Sequence, residues 1–167
     1  MLEFSPMLSP REMIEEGVFG GSYFNYELLN QGDGYKYFKE LFKGLDSKLL
    51  ISEKYKPSNN AFKIRSGMDY NYWTEMKWIH KDDPHGWFEW YCKYYVGRRH
   101  ADDDRQIRRW QDFCGYRGRW RLRIYKRIWE TNGDWNVSPR IQQSLLHWSY
   151  KVNKEDYQLW QNMYLSQ

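Results

Sequence analysis

Cysteine is scarce: two residues in a chain of 167. That excludes a disulfide framework. Cys92 and Cys114 each lie in aromatic or apolar sequence, where free buried thiols are expected. Histidine is scarce too, with four residues, and neither H-x-x-x-H nor C-x-x-C spacing occurs, so no zinc motif is present. No long apolar run exists, and mean hydropathy is −0.99, which excludes a membrane-spanning helix. Also absent are G-x-S-x-G, a Walker loop and G-x-G-x-x-G. The N-terminal residues MLEFSPMLSPREM lack a basic stretch followed by an apolar one. The expectation is therefore no signal peptide and a reducing, cytoplasmic compartment. No cofactor or metal is expected.

Aromatic residues are abundant. Hydrophobic content is 41% and aromatic content 20%, with 15 Tyr and 10 Trp. These residues count as polar on hydropathy scales yet bury large surfaces. The length fits one domain over 1–167 with a real core, in which residues 45–68 are a possible irregular insert.

Ser9-Pro10 signals a helix start, and Gly17 a stop. Gly17-Val-Phe-Gly20-Gly21 follows as a turn. Tyr23–Asn30 is a short helix or an extended piece, and Tyr35–Lys43 has helical spacing. Asp69 is expected to cap a short helix through Lys77. Asp82-Asp83-Pro84 is expected to open the helix Pro84–Val96. That segment carries Trp87, Phe88, Trp90, Tyr91, Cys92, Tyr94 and Tyr95, apolar almost all round, and is expected to be the central buried helix. Asp102 caps the next helix, which ends at Gly115, with Asp104 and Arg108 spaced to pair. Residues 117–130 are ambiguous. Arg119–Ile124 alternates like a strand, whereas Trp120, Ile124, Tyr125, Ile128 and Trp129 fit a helix, which accounts for the longer stretch. Ser138-Pro139 starts another helix, and Asn153 caps the last. The expected fold is mainly α: a single-domain bundle of about six to eight helices around a buried aromatic helix.

Charge is uneven. Residues 1–83 carry a net −2 and residues 84–167 a net +6. From Lys93 to Arg127 there are 12 basic and 4 acidic residues, and ten of the 13 arginines lie between Arg98 and Arg127. These are Arg98, Arg99, Arg105, Arg108, Arg109, Arg117, Arg119, Arg121, Arg123 and Arg127. They alternate with Trp110, Tyr116, Trp120 and Tyr125. Arginine grips phosphate with a planar fork, and aromatic rings stack on bases. The plainer reading is a solvated helix face with internal ion pairs to Asp102–Asp104 and Asp112.

Other chemistry is thinner. His80, Asp82, Asp83 and His85 crowd into one loop, but a capped helix start explains the acids. Gly20 and Gly21 sit in a turn of the kind that can approach a phosphate, or simply end a helix. Three functions stand open. The first is a small nucleic-acid-associated protein using residues 98–127 on phosphates. The second is an enzyme acting on a nucleotide or nucleic-acid base, with Gly20, Gly21, His80, Asp82, Asp83 and His85 around one pocket. The third is a protein-interaction or inhibitor module. The expected partner is nucleic acid or a phosphate-bearing ligand, not a membrane.

Three strings carry a resemblance: SPREMIEEGVFGGSYF (Ser9–Phe24), WTEMKWIHKDDPHGWFEWYCKYYVGRR (Trp73–Arg99) and DDDRQIRRW (Asp102–Trp110). They resemble a family of small Trp- and Arg-rich hypothetical proteins of bacteria, their viruses and plants. The similarity spans about Ser9 to Val152, and its most specific part is D-P-x-G-W-F-x-W-Y-C-x-Y-Y-x-G-R-R (Asp83–Arg99). It implies a compact cytoplasmic or virus-encoded protein and assigns no catalytic residue.

Overall fold

The computed structural model describes residues 3–24, 40–68 and 70–165. Its elements, in order, are α1 (Pro10–Glu15), α2 (Ser47–Leu50), a single 3₁₀ turn (Pro57–Asn59), α3 (Tyr70–Glu75), α4 (Trp87–Tyr95), α5 (Asp103–Cys114), α6 (Arg119–Glu130), α7 (Pro139–Leu146) and α8 (Lys154–Tyr164). Among the described residues there is no strand, only one isolated bridge between His80 and Asp83. The fold is mainly α. No helix of the described residues is long and apolar enough to cross a membrane. The expected helix at 35–43 and the piece at 23–30 fall largely outside the described residues, as does the expected cap Asp69.

Local signals act where sequence placed them. Ser9 and Glu12 form a reciprocal capping box at α1. Asn153 accepts from the Asp156 N–H at the start of α8. Gly115 terminates α5. Residues 119–130 are a helix, because Ile124, Tyr125 and Ile128 are all fully buried and only helical spacing puts them on one face.

The centre is α4. Seven consecutive residues, Trp87 to Lys93, are buried. It packs on α1, and the N-terminal strap lays Phe4 beside Trp90, Tyr91, Tyr94 and Trp110 at centroid distances of 5.2–5.9 Å. The strap is pinned across the molecule: Leu8 N–H donates to Ser149 Oγ, and Ser149 Oγ and Tyr91 Oη both donate to the Leu8 carbonyl. The second layer is built on α6, which packs against α5, α7 and α8.

Several expectations need correction. Helix α4 begins at Trp87, not Pro84, with Gly86 at the cap position. Asp83 caps nothing: its fully buried carboxylate pairs with Lys93 at 3.0 Å and Arg98 at 2.7 Å. The helix is also not apolar all round. Glu89 and Lys93 lie inside and pair at 2.8 Å, because a helix enclosed on every side has no watery face for its charges. Likewise Asp102 occupies the cap position of α5, yet its carboxylate binds Arg105 and Gln106. Among the described ion pairs, Asp104–Arg108 does not occur and Asp102–Arg105 takes its place.

Residues 45–68 are mostly irregular but are tied to the helices. The Ala61 N–H donates to Gly17 O, Lys56 N–H to Gly20 O, and Phe62 N–H to Gln143 on α7.

Candidate nucleic-acid interface

The ten arginines divide into two populations. One is absorbed by the protein. Arg98 is held by Asp83, Arg105 makes a two-pronged contact with Asp102 at 2.5 and 2.7 Å, and Arg121 pairs with Asp156 at 2.7 Å. Burial would raise the Asp102 carboxyl, but the Arg105 pair outweighs it and holds Asp102 below the usual range. Arg109 lies between the Trp78 and Trp148 rings, 5.4 and 5.3 Å from their centres, and donates to Trp78 O and Gln106 Oε1. Burial lowers its guanidinium to about 10. Arg99 is exposed, yet it folds over Tyr94 at 3.9 Å and donates to the Tyr94 and Arg98 carbonyls.

The other population is solvent-facing: Arg108, Arg117, Arg119, Arg123 and Arg127 are exposed. Helix α6 explains the last three. With Ile124, Tyr125 and Ile128 inward, positions 119, 123 and 127 fall outward at four-residue steps. Arg127 is 3.5 Å from Glu130, and Lys126 is 3.8 Å from the same carboxylate. Arg119 and Arg123 both stand 5.7 Å from the centre of the Trp120 ring, one on each side in sequence.

These side chains border a groove of about 500 Å³ between α6 and the end of α8. Its cations are Arg119, Arg123 and Lys126, and its rings are Trp120, Trp129, Trp160 and Tyr164. No carboxylate lines it among the described residues. Trp129 is 47% exposed, a large apolar side chain left facing water beside cations. A neighbouring depression also borders on Arg117 and Arg119 but includes Glu3, Asp112 and Asp156, so its charge is mixed where that of the α6–α8 groove is not.

Sequence reasoning found Arg119, Arg123 and Trp120 but not Trp129, Trp160 or Tyr164. Spacing gave no signal for Trp129: it follows Tyr125 by four residues and fits the buried stripe of α6, yet is 47% exposed.

The loop candidates separate. His80 and Asp82 meet His100 from the far end of α4: His100 Nε2 lies 3.0 Å and His80 Nδ1 3.6 Å from Asp82 Oδ2. These three are close enough to share an ion. The Nδ1 lone pairs of both histidines, however, already accept from backbone N–H groups, of Asp82 and Asp102 respectively. Asp83 turns inward to the buried charges. His85 turns to a different cavity, which His147 also lines. Gly20 and Gly21 do not form a phosphate cradle. Gly20 N–H donates to Asn60 Oδ1, and a Cβ at Gly21, where φ is +82°, would stand 2.1 Å from the Lys48 carbonyl oxygen. The turn is tight because another chain segment passes against it.

Compared with family models, characterised proteins and solved structures, the chain matches none of them.

Proposed function

We propose that the protein binds single-stranded nucleic acid in the α6–α8 groove. The observation that carries this reading is one concave surface with three cations, four aromatic rings and no carboxylate. Strand binding without strong sequence preference combines these parts: cations track the phosphates while rings stack on bases. Arg119 and Arg123, set either side of Trp120, supply both contacts within one helical turn. Arginine suits phosphate better than lysine because its planar fork contacts two oxygens.

Five of the ten arginines serve the fold, so the working positive charge is smaller than the sequence total. A footprint of a few phosphates is expected. The test is fluorescence anisotropy with single- and double-stranded DNA and RNA across a salt series. Replacing Arg119 and Arg123 together by Gln should lower the salt slope by roughly 1–1.5, since each phosphate contact on a single strand contributes about 0.7. Trp129→Ala should weaken binding by about 1–3 kcal/mol with the slope unchanged, as loss of one stacked base does. No binding to any strand at low salt, or a double variant with unaltered slope, refutes the proposal.

A further inference from the structure

A second cavity, of about 550 Å³, shares no residue with the groove. We infer that it is a binding site for a planar, uncharged heteroaromatic ligand of the nucleobase class, taken up as a free compound or as one base of a strand.

Its walls come from five separated stretches of chain. Phe19 and Tyr23 arrive from the turn after α1, Trp73 from α3, His85 from the approach to α4, His147 from the end of α7, and Tyr55 from the loop between. The rings are fixed by one another. Phe19 lies 4.5 Å from Tyr23 and 5.1 Å from His147, centroid to centroid. The Tyr23 hydroxyl accepts from the Glu89 N–H and donates to the His85 carbonyl. A site held this way is preformed, and its volume falls in the range of small-molecule pockets.

Charge narrows the ligand. Among the described residues lining the cavity there is no Asp, Glu, Lys or Arg. An ionic ligand would enter without a counter-charge, which burial penalises. Flat aromatic walls select a flat molecule.

Unmet hydrogen bonds narrow it further. Ser66 and Tyr55 are already engaged, Ser66 Oγ with Arg140 O and Ser144 Oγ, and Tyr55 Oη with Asn60 and the Ser66 N–H. The histidines are each engaged on one side: His85 Nδ1 stands 3.4 Å from Glu89 Oε2 and helps hold that carboxylate, and His147 is hydrogen-bonded to the Val18 backbone. His147 Nε2 is left buried without a hydrogen-bond partner. Unmatched buried polar atoms cost stability and are rare, so this one, on a residue lining the cavity, points to a missing partner. Burial holds the His147 imidazole at about 4, against the ordinary 6.5. It is therefore neutral at physiological pH, with its donor nitrogen spent on the Val18 backbone and Nε2 left as an acceptor. A ring whose edge carries an N–H donor complements it.

The experiment uses the full chain carrying Arg119→Gln and Arg123→Gln, so that the groove does not contribute. Binding of adenosine, guanosine, cytidine and uridine, of their 5′-monophosphates and of the matching tetranucleotides is followed by calorimetry and by ¹⁵N NMR of the histidine side chains. At least one nucleoside or tetranucleotide should bind and shift the His147 ring resonances. A nucleoside that binds should not gain from a 5′-phosphate. Binding of the nucleoside identifies a free ligand, and binding of the tetranucleotide alone identifies a base taken from a strand. Gly67→Ala should weaken binding at least tenfold, because the new Cβ at φ +85° would lie 2.9 Å from His147 Cε1. Trp73→Ala, on a half-exposed helix, should do the same if the glycine variant fails to fold. No binding by any compound up to about 5 mM, which is weaker than about −3 kcal/mol, overturns the inference. So does binding that both variants leave intact, or a monophosphate that binds tenfold more tightly than its nucleoside.

Discussion

Replacing Lys93 by Met removes one cation from a buried set whose formal charges otherwise balance. Asp83 and Glu89 are the anions, Lys93 and Arg98 the cations, and all four side chains are 15% exposed or less. The Lys93 ammonium reaches Glu89 Oε1 at 2.8 Å, Asp83 Oδ1 at 3.0 Å and the Asp82 carbonyl at 2.6 Å. Methionine fills similar volume but donates to none of them. Breaking a buried pair from one side costs about 3–5 kcal/mol, because the stranded charge stays desolvated. For a chain of this size that lowers the melting temperature by roughly 6–20 °C. The pH dependence gives a second, independent readout. In the native protein, burial raises the Glu89 carboxyl, but hydrogen bonds from His85 and Lys93 outweigh it and leave Glu89 below its ordinary 4.5. Without Lys93 the burial effect gains, and Glu89 moves upward. Native Glu89 stabilises the fold above its unfolded titration range and loses that contribution as pH falls. In the variant a raised carboxyl gains stability on protonation. The difference between the two proteins should therefore narrow from pH 7 to pH 4.5. Glu89→Gln combined with Lys93→Met should cost less than the sum of the single changes, by about 1–3 kcal/mol. Urea unfolding followed by circular dichroism measures all three. A loss under about 1 kcal/mol at pH 7 would refute the buried-network account, being the scale of an exposed pair, as would strict additivity.

Two further outcomes follow from burial. His147 titrates at about 4 in the folded protein and 6.5 in the unfolded chain, so the unfolded state takes up the proton first as pH falls. Stability should drop by about 3 kcal/mol between pH 7 and pH 4 from this group alone, and His147→Gln should remove that part of the pH dependence in urea melts. Cys92 and Cys114 are fully buried, and burial pushes both thiols well above their ordinary value of 9.0. A disulfide reagent should therefore label neither in native protein and both after denaturation; rapid native labelling would contradict this.

Helix boundaries were legible where one residue decides them. Ser9, Gly115 and Asn153 act through their own backbone or side chain, so their effect survives any tertiary context. The central helix was legible from its density of rings. Its charges were not, because a Glu and a Lys four apart look alike on a wet or a dry face, and only the packing of Asp83 and Arg98 decides which. The arginine-rich segment failed in the same way. Arg119 and Arg121 differ by two positions, yet one faces water and the other meets Asp156 from a helix more than thirty residues away. Nothing in Leu-Leu-His-Trp marks His147, whose importance comes from the turn at Phe19 and the loop at Gly67, both remote in sequence.

The strap at residues 3–8 is anchored on residues far from it in sequence. Leu8 and Ser149 are 141 positions apart. During synthesis Phe4 emerges well before Ser149, the strap's hydrogen-bonded anchor. Until Ser149 clears the ribosome, the aromatic slot formed by Trp90, Tyr94 and Trp110 has no fixed lid. Closing so large a loop is entropically expensive and late. The strap is therefore set to dock late, and nascent chains halted before residue 149 are the form in which the aromatic interior is open to chaperones or to aggregation.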